Sequence, residues 1–329
     1  MTNPILTDAD IDPSAIHDKI VAIIGYGNQG RAQALNLRDS GVNVLTGLRP
    51  GSASEQTARD DGFAPLAMTE AAARADIVML LVPDEVQADL WNDELADAVR
   101  GGATIGFAHG LAIHYGLIEP RADLDVILVA PKGPGKALRA DFERGSGLIG
   151  LIAVAQDASG SARATALAYA GALGCGRAGI LESSFQEETE ADLFNEQGVL
   201  WGVIPELIEA GFDTLVDAGF APEIAYFECL TEVKLLADLI YERGIAEMRE
   251  AISNTAEFGA AEGSGRIVGD AARAEMKRIL GEVQDGSFVN KLMADARAGY
   301  PALKASRQRA AAHPVEAVAA RMRALRDRN

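Results

Sequence analysis

Apolar and polar positions follow two different rhythms along this chain. From residue 19 to residue 182, short apolar runs rich in β-branched residues are separated by stretches with helical spacing. "KIVAIIG" reads as a buried strand, and "QGRAQALNLRDSG" as a helix that stops at Gly41. "VNVLTGL", "DIVMLLVP", "ATIGFAHG", "DVILVAPKG" and "GLIGLIAVAQD" read as further strands. "TEAAARA", "VQADLWNDELADAVR" and "SARATALAYAGALG" read as helices among and after them. Such alternation predicts a parallel sheet covered by helices on both faces. After residue 183 the strands stop. "EADLFNEQGVLWGVIPELIEAGFDTLVDAG", "PEIAYFECLTEVKLLADLIYERGIAEMREAISNTAEFG" and "AARAEMKRILGEVQDG" keep apolar residues at helical spacing. Residues 1–182 are therefore expected to form an α/β domain and residues 183–329 an all-α one.

Composition narrows the class. Hydrophobic residues make up 48% of the 329, enough for a sizeable core and too many for a disordered chain. A formal net charge of −18 argues against a nucleic-acid partner and against an anionic membrane surface. The two cysteines, Cys175 and Cys229, stand far apart in no metal-ligand spacing, which suits a reducing cytoplasm. The opening "MTNPILTDADIDPSAIHDK" has no basic segment leading into an apolar one, so it does not read as a secretory signal. The longest apolar runs are too short to span a bilayer.

The first strand leads directly into Gly25, Tyr26, Gly27, Asn28, Gln29 and Gly30 and then a helix. In that setting Gly25 permits a tight turn and Gly27 lets backbone approach a pyrophosphate. Gly30 permits close helix–strand packing, and the helix N-terminus offers amide donors to phosphates. An NAD site usually has an acid at the end of the second strand; here Arg49 stands there, followed by Ser52 and Ser54. A guanidinium and two hydroxyls suit the 2′-phosphate of NADP. A plain surface loop with one arginine accounts for the same residues, and Glu55 is a discordant charge in it. Asp84, Glu85, Val86 and Gln87 follow "LVP" as either helix-capping residues or cofactor contacts. His109 closes a strand at the ligand edge, and Lys132 in "APKGPGK" is placed to meet an anionic substrate.

Two acid pairs complete the candidates. Asp192 precedes Glu196 by four residues, and Glu228 precedes Glu232 by four. On helices each pair shares a face, at a cost of a few tenths of a kcal/mol. Carboxylates so placed among apolar residues suit one or two Mg²⁺ ions, or they are solvated acidic faces. Glu187, Glu188 and Glu190 read as solvated.

Together these stretches closely resemble ketol-acid reductoisomerases, the acetohydroxyacid isomeroreductases of valine, leucine and isoleucine biosynthesis, in their short form. The resemblance runs from about residue 16 to residue 325. It is carried by "GYGNQGRAQALNLRDSG", "GLRPGS", "PDEVQ", "FAHG", "VAPKGPG", "QDASG", "EETEADLFNEQ", "AGFDTLVDAGFAPEIAYFECLTEVKLLADLIYE" and "ISNTAEFG". It implies a Rossmann-type N-terminal domain and an all-α C-terminal domain that is knotted and dimer-forming. It further implies that Asp192 bridges two Mg²⁺ ions, with Glu196 joining one and Glu228 and Glu232 holding the other. Ser253 should contact substrate, and His109 is the position the family treats as catalytic. Tyr26 to Gln29, Arg49, Ser52, Ser54, Asp84 to Gln87 and Gly135 should line the NADP site. Asn28 stands where serine is commoner, and Glu55 where a bulkier or basic residue is common. The implied reaction is alkyl migration in 2-acetolactate or its ethyl homologue, followed by reduction to the 2,3-dihydroxy acid. The implied assembly is a cytoplasmic homodimer, or a higher assembly of dimers, with each site shared between subunits. Two other classes fit parts of the chain: a metal-free NADP-dependent hydroxyacid dehydrogenase, and a non-catalytic NADP-binding regulator.

Overall fold

The computed structural model describes residues 4–326. Packing divides the chain into two compact units, Met1–Thr189 and Glu190–Asn329. The division falls inside the helix Phe185–Gly198.

The first unit is built on a seven-stranded sheet with the order β2-β1-β3-β4-β5-β6-β7. Its strands are β1 (Ile20–Ile24), β2 (Asn43–Gly47), β3 (Ile77–Leu80), β4 (Thr104–Phe107), β5 (Asp125–Pro131), β6 (Gly150–Gln156) and β7 (Ile180–Glu182). All six strands expected from the apolar runs are present, and β1 to β5 pair in parallel. Two features depart from expectation. β6 runs antiparallel to β5, because an apolar run reads the same in either direction and does not encode strand polarity. β7 was not visible in the pattern: it is three residues long, too short to show a period. Its edge is covered by the N-terminal segment, where Leu6 and Ile180 exchange backbone hydrogen bonds of 2.8 Å.

Side chains alternate between the two faces of β1. Val21 and Ile23 pack beneath the helices Asn28–Asp39 and Ala162–Ala172, with Leu37, Ala166 and Tyr169. Ala22 and Ile24 face the opposite layer, with Ala71, Trp91 and Leu95. The Asn28–Asp39 helix ends at the expected glycine: Gly41 has φ +83°, the left-handed conformation that terminates helices. Because β1 to β5 are parallel, the turns after them lie along one edge of the sheet. Chain order reverses between β2-β1 and β1-β3, which opens a crevice at that edge.

The second unit is helical. One buried cluster gathers Phe212, Ala225, Val315 and Val318, flanked by Leu215, Tyr226 and Met322; Leu193, Val283 and Val289 are buried elsewhere in the unit. The helix Pro222–Tyr226 runs through a π turn, Phe227–Thr231, into the helix Glu232–Glu250. The last of these is broken at Gly244, whose φ of 73° and ψ of 174° are open essentially to glycine alone. Large apolar residues face outward along this unit; Leu235 is 65% exposed and Tyr241 92%. Glu228, which the sequence sets among apolar residues and which was expected on that ground to lie near a buried stripe, is therefore not beside one among the described residues. Phe227 is 45% exposed, and Glu228 and Glu232 are exposed too. Helical spacing says which face is apolar, not what covers it. Among the described residues no helix is long and apolar enough to cross a membrane.

Candidate active site

β1 delivers the glycine turn to the sheet's carboxyl edge. Gly25 has φ +99°, and a Cβ there would lie 2.8 Å from the Leu81 carbonyl oxygen, so only glycine fits. Where a side chain on Gly27 would stand there is open space, as close approach of a pyrophosphate requires. Tyr26 is buried beneath the turn; its hydroxyl donates to Asp61 at 3.0 Å, and Asp61 also accepts two bonds from Arg31. Burial, reinforced by the Asp61 carboxylate, pushes the Tyr26 phenol well above its ordinary range, so it stays protonated. Gln29 donates to the Gly133 carbonyl at 2.9 Å. A Cβ on Gly135 would collide with the Asn28 carbonyl, so glycine there lets the second loop lie against the first. Tyr26 and Gln29 thus shape the turn from within, while Asn28 is exposed upon it.

A cavity of about 270 Å³ beside this turn is lined by Gly25, Gly27, Arg49, Ser52, Ser54 and Pro83 among others. Ser52 caps the helix Ala53–Asp60, its hydroxyl accepting from the Glu55 amide at 3.2 Å. Across the crevice, Asp84 and Glu85 open the helix Asp84–Leu90, and Val86 is on its surface. Gln87 is 3% exposed. It donates to the Val82 carbonyl at 3.1 Å and to Asp84 at 3.0 Å, which ties the start of the helix to the loop before it, although no side chain caps the helix N-terminus. The Gln87 Oε1 is buried with no hydrogen-bond partner among the described residues, an acceptor still to be satisfied. The open space over Gly27, the cation and hydroxyls in the cavity, and this orphan acceptor fit a dinucleotide.

The loops after β4 and β5 bring His109 and Lys132 to one carboxylate. Glu188, in the first turn of the Phe185–Gly198 helix, accepts from the Gly110 amide at 3.0 Å. Its oxygens lie 3.1 Å from His109 Nδ1 and 3.2 Å from Lys132 Nζ. Glu188 is 2% exposed, which corrects the reading of it as solvated. Burial pushes its pKa up, but the His109 hydrogen bond, the charges of His109 and Lys132 and the Gly110 amide outweigh that and hold it below the usual carboxylate range. Glu190 is also buried, and Gln284 donates to it at 2.9 Å. Glu187 alone of the three stays at the surface, bonded to Ser183. Nothing in "EETE" separates these residues; only the fold, by placing "FAHG" and "PKG" over one of them, does. Gly110 is needed for that closeness, because the Thr189 hydroxyl occupies the place its Cβ would take.

Asp192 and Glu196 follow Glu188 along the same helix, one turn apart each, and both are partly buried. Glu228 lies in the π turn and Glu232 begins the helix after it. Within a π turn the residues per turn rise above the α value, so side chains four apart align more closely along one line. Ser253 caps the helix Asn254–Ile267 and is exposed, accepting from the Ala256 amide at 3.2 Å. Among the described residues, no group of three metal-ligating side chains combines Asp192 or Glu196 with Glu228 or Glu232. As a donor set, four carboxylates fit a hard cation such as Mg²⁺.

A glycine turn at the switch point of a parallel sheet, with an acid–base cluster on the same edge, defines a nicotinamide-dependent oxidoreductase of the Rossmann type. Residues 15–179 match the acetohydroxy acid isomeroreductase NADPH-binding domain, and residues 185–328 the ketol-acid reductoisomerase C-terminal domain. The chain belongs to the ketol-acid reductoisomerase family, and it is an enzyme of that kind. It is similar to an NADH-preferring ketol-acid reductoisomerase from an uncultured archean at 44% identity and a TM-score of 0.96, over 98% of this chain and 99% of that one. Two other structures share the fold alone. A semialdehyde dehydrogenase NAD-binding protein from Cupriavidus necator is 18% identical with a TM-score of 0.63, over 82% of this chain and 99% of that one. A pyrroline-5-carboxylate reductase from Coxiella burnetii is 14% identical with a TM-score of 0.56, over 81% and 97%.

Proposed function

We propose that the enzyme converts 2-acetolactate, or 2-aceto-2-hydroxybutanoate, to the 2,3-dihydroxy acid in branched-chain amino-acid synthesis, using NADPH and two Mg²⁺ ions. The observation that carries this reading is the helix with Glu188, Asp192 and Glu196 on one face, its first acid bonded to His109 and Lys132. When bound, the ions supply Lewis acidity to the ketone and hydroxyl oxygens and the nicotinamide supplies hydride. The protein's own share is positioning and proton transfer. Glu188 holds the His109 ring by Nδ1 and so fixes its orientation for proton exchange with substrate. Lys132 presents a cation to the substrate carboxylate or alkoxide while Glu188 balances its charge. Asp192, Glu196, Glu228 and Glu232 are the metal carboxylates, and Ser253 contacts substrate. Arg49, Ser52 and Ser54 take the 2′-phosphate, with Gly25 to Gly30, Asp84 to Gln87 and Gly135 around the rest of the cofactor. The similar archaeal enzyme prefers NADH, and the arginine with two serines in this cavity favours NADPH. The functional boundary is set at 182/183, so that the whole helix bearing the first acid pair belongs to the metal-binding half.

The reading is tested by following NADPH oxidation with acetolactate, with and without Mg²⁺. Activity that survives chelation would point instead to a metal-free hydroxyacid dehydrogenase. Asp192→Asn should lose at least about a thousandfold in turnover. We further propose a homodimer in which Asp192 and Glu196 of one subunit work with Glu228, Glu232 and Ser253 of the other. The exposure of Glu228, Glu232 and Ser253 and of the apolar side chains around them supports this. Refolding Asp192→Asn together with Glu228→Gln would then return roughly a quarter of wild-type activity, since about half the dimers are mixed and each has one intact site. No return of activity, with subunit exchange confirmed by mass, would rule the shared site out.

A further inference from the structure

Glu55 is a negative charge in the same loop as Arg49, Ser52 and Ser54, the groups assigned above to the cofactor's 2′-phosphate. A carboxylate free to swing there would oppose that ligand. The structure folds it away. Glu55 Oε2 accepts from the Gly51 amide at 2.5 Å, and Oε1 accepts from Arg59, one helical turn on, at 2.7 Å. The Arg59 hydrogen bond and the Gly51 amide hold the carboxyl below the usual glutamate range, so it is charged, and both its oxygens are engaged. Glu55 does not line the cavity that Arg49, Ser52 and Ser54 line. Its backbone amide meanwhile donates to Ser52 Oγ, leaving that hydroxyl's proton available to an anion. Arg49 forms no ion pair or hydrogen bond through its side chain among the described residues. A released Glu55 would be the carboxylate nearest in sequence for it to pair with.

We propose that Arg59 is a positioning residue for cofactor choice: by stapling Glu55 to the Gly51 amide, it keeps the loop able to accept a 2′-phosphate. This rests on the NADPH reading, and its test reads a change in selectivity rather than its absolute sense. Dissociation constants for NADPH and NADH are measured by calorimetry on wild type, Arg59→Gln, Glu55→Gln, the double variant and Arg59→Lys. Arg59→Gln should weaken NADPH about tenfold relative to NADH, since a carboxylate several ångströms from a phosphate dianion carries a penalty of that order. The double variant should recover the selectivity of Glu55→Gln, and Arg59→Lys should stay near wild type. An equal effect on both cofactors would overturn the staple. So would a double variant as poor as Arg59→Gln, which would put Arg59 itself on the phosphate. Tighter NADH than NADPH binding in the wild type would sink the NADPH reading alone; the staple would still be scored by the change in ratio.

Discussion

Trp91, Tyr169 and Phe107 in the sheet unit are at most 1% exposed, whereas Tyr241, Phe258 and Ile267 in the helical unit are at least 67% exposed. Both units are rich in apolar residues at the correct periods. The sheet has two faces, and helices close each of them, so its core is complete within one chain. The helical unit buries apolar residues on other helices but leaves its long Glu232–Glu250 and Asn254–Ile267 helices without a buried stripe among the described residues. A helix whose apolar side chains face outward is looking for another surface, and a second copy related by two-fold symmetry is the commonest one. The same contrast separates the chemistry. His109, Lys132 and Glu188 are joined within the sheet unit, while Glu228, Glu232 and Ser253 are exposed.

That contrast can be broken at its strong end first. Phe107→Ala removes a ring that packs edge-on against Phe185 at 6.3 Å and should cost about 3–5 kcal/mol in urea unfolding. A loss under about 1 kcal/mol would mean that the sheet unit is less tightly closed than described. Next comes Glu188→Gln, expected to cost about 1.5–3 kcal/mol near neutral pH through hydrogen bonds made to a charged group. The pH sense follows from a folded-state pKa held below the unfolded one. The charge's contribution is complete above the unfolded value, about 4.3, and fades as pH falls through the folded value. Wild type and Glu188→Gln should therefore converge in acid, and a gap that persists unchanged below that range would contradict the assignment.

At the weak end, Leu235→Ala should leave the sheet unit's unfolding within about 0.5 kcal/mol of wild type. It should make loss of helical signal more sensitive to dilution, if a second copy covers this face. Equal destabilisation at every protein concentration would argue against a partner. The smallest effect is chemical. Cys175 is buried and its thiol is pushed up to about 12, by burial first and then by Asp8, so it should resist a disulfide reagent until the sheet unit unfolds. Cys229 is only partly buried and should react earlier; the reverse order would mean that the helical unit is the better protected one.

The strands from Ile20 to Leu80 and the glycine turn were legible because their signals are local: a buried run, a period, a φ that only glycine takes. Polarity of β6 was not, since it depends on how the chain returns after Pro131. Glu188 was lost for a similar reason. Its neighbours in sequence are also acids, and its partners lie 79 and 56 residues away. The acid pairs were found by spacing alone, and spacing placed Asp192 and Glu196 on one helix correctly. It could not show that Glu228 stands in a π turn, nor that its surroundings are open.

That π turn has a consequence at the level of the gene. A π turn is an α-helix that has taken in one residue more than its hydrogen-bond ladder needs, and the surplus stays as a bulge. Deleting a codon from Phe227–Thr231 would restore a regular helix and leave the fold's hydrogen bonding intact. Taken between Glu228 and Glu232, the deletion would shorten their spacing from four residues to three and change the offset between their carboxylates. An extra residue that a helix does not need for its own stability thus sets the spacing between two carboxylates, so that the length of this stretch matters as well as the identity of Glu228.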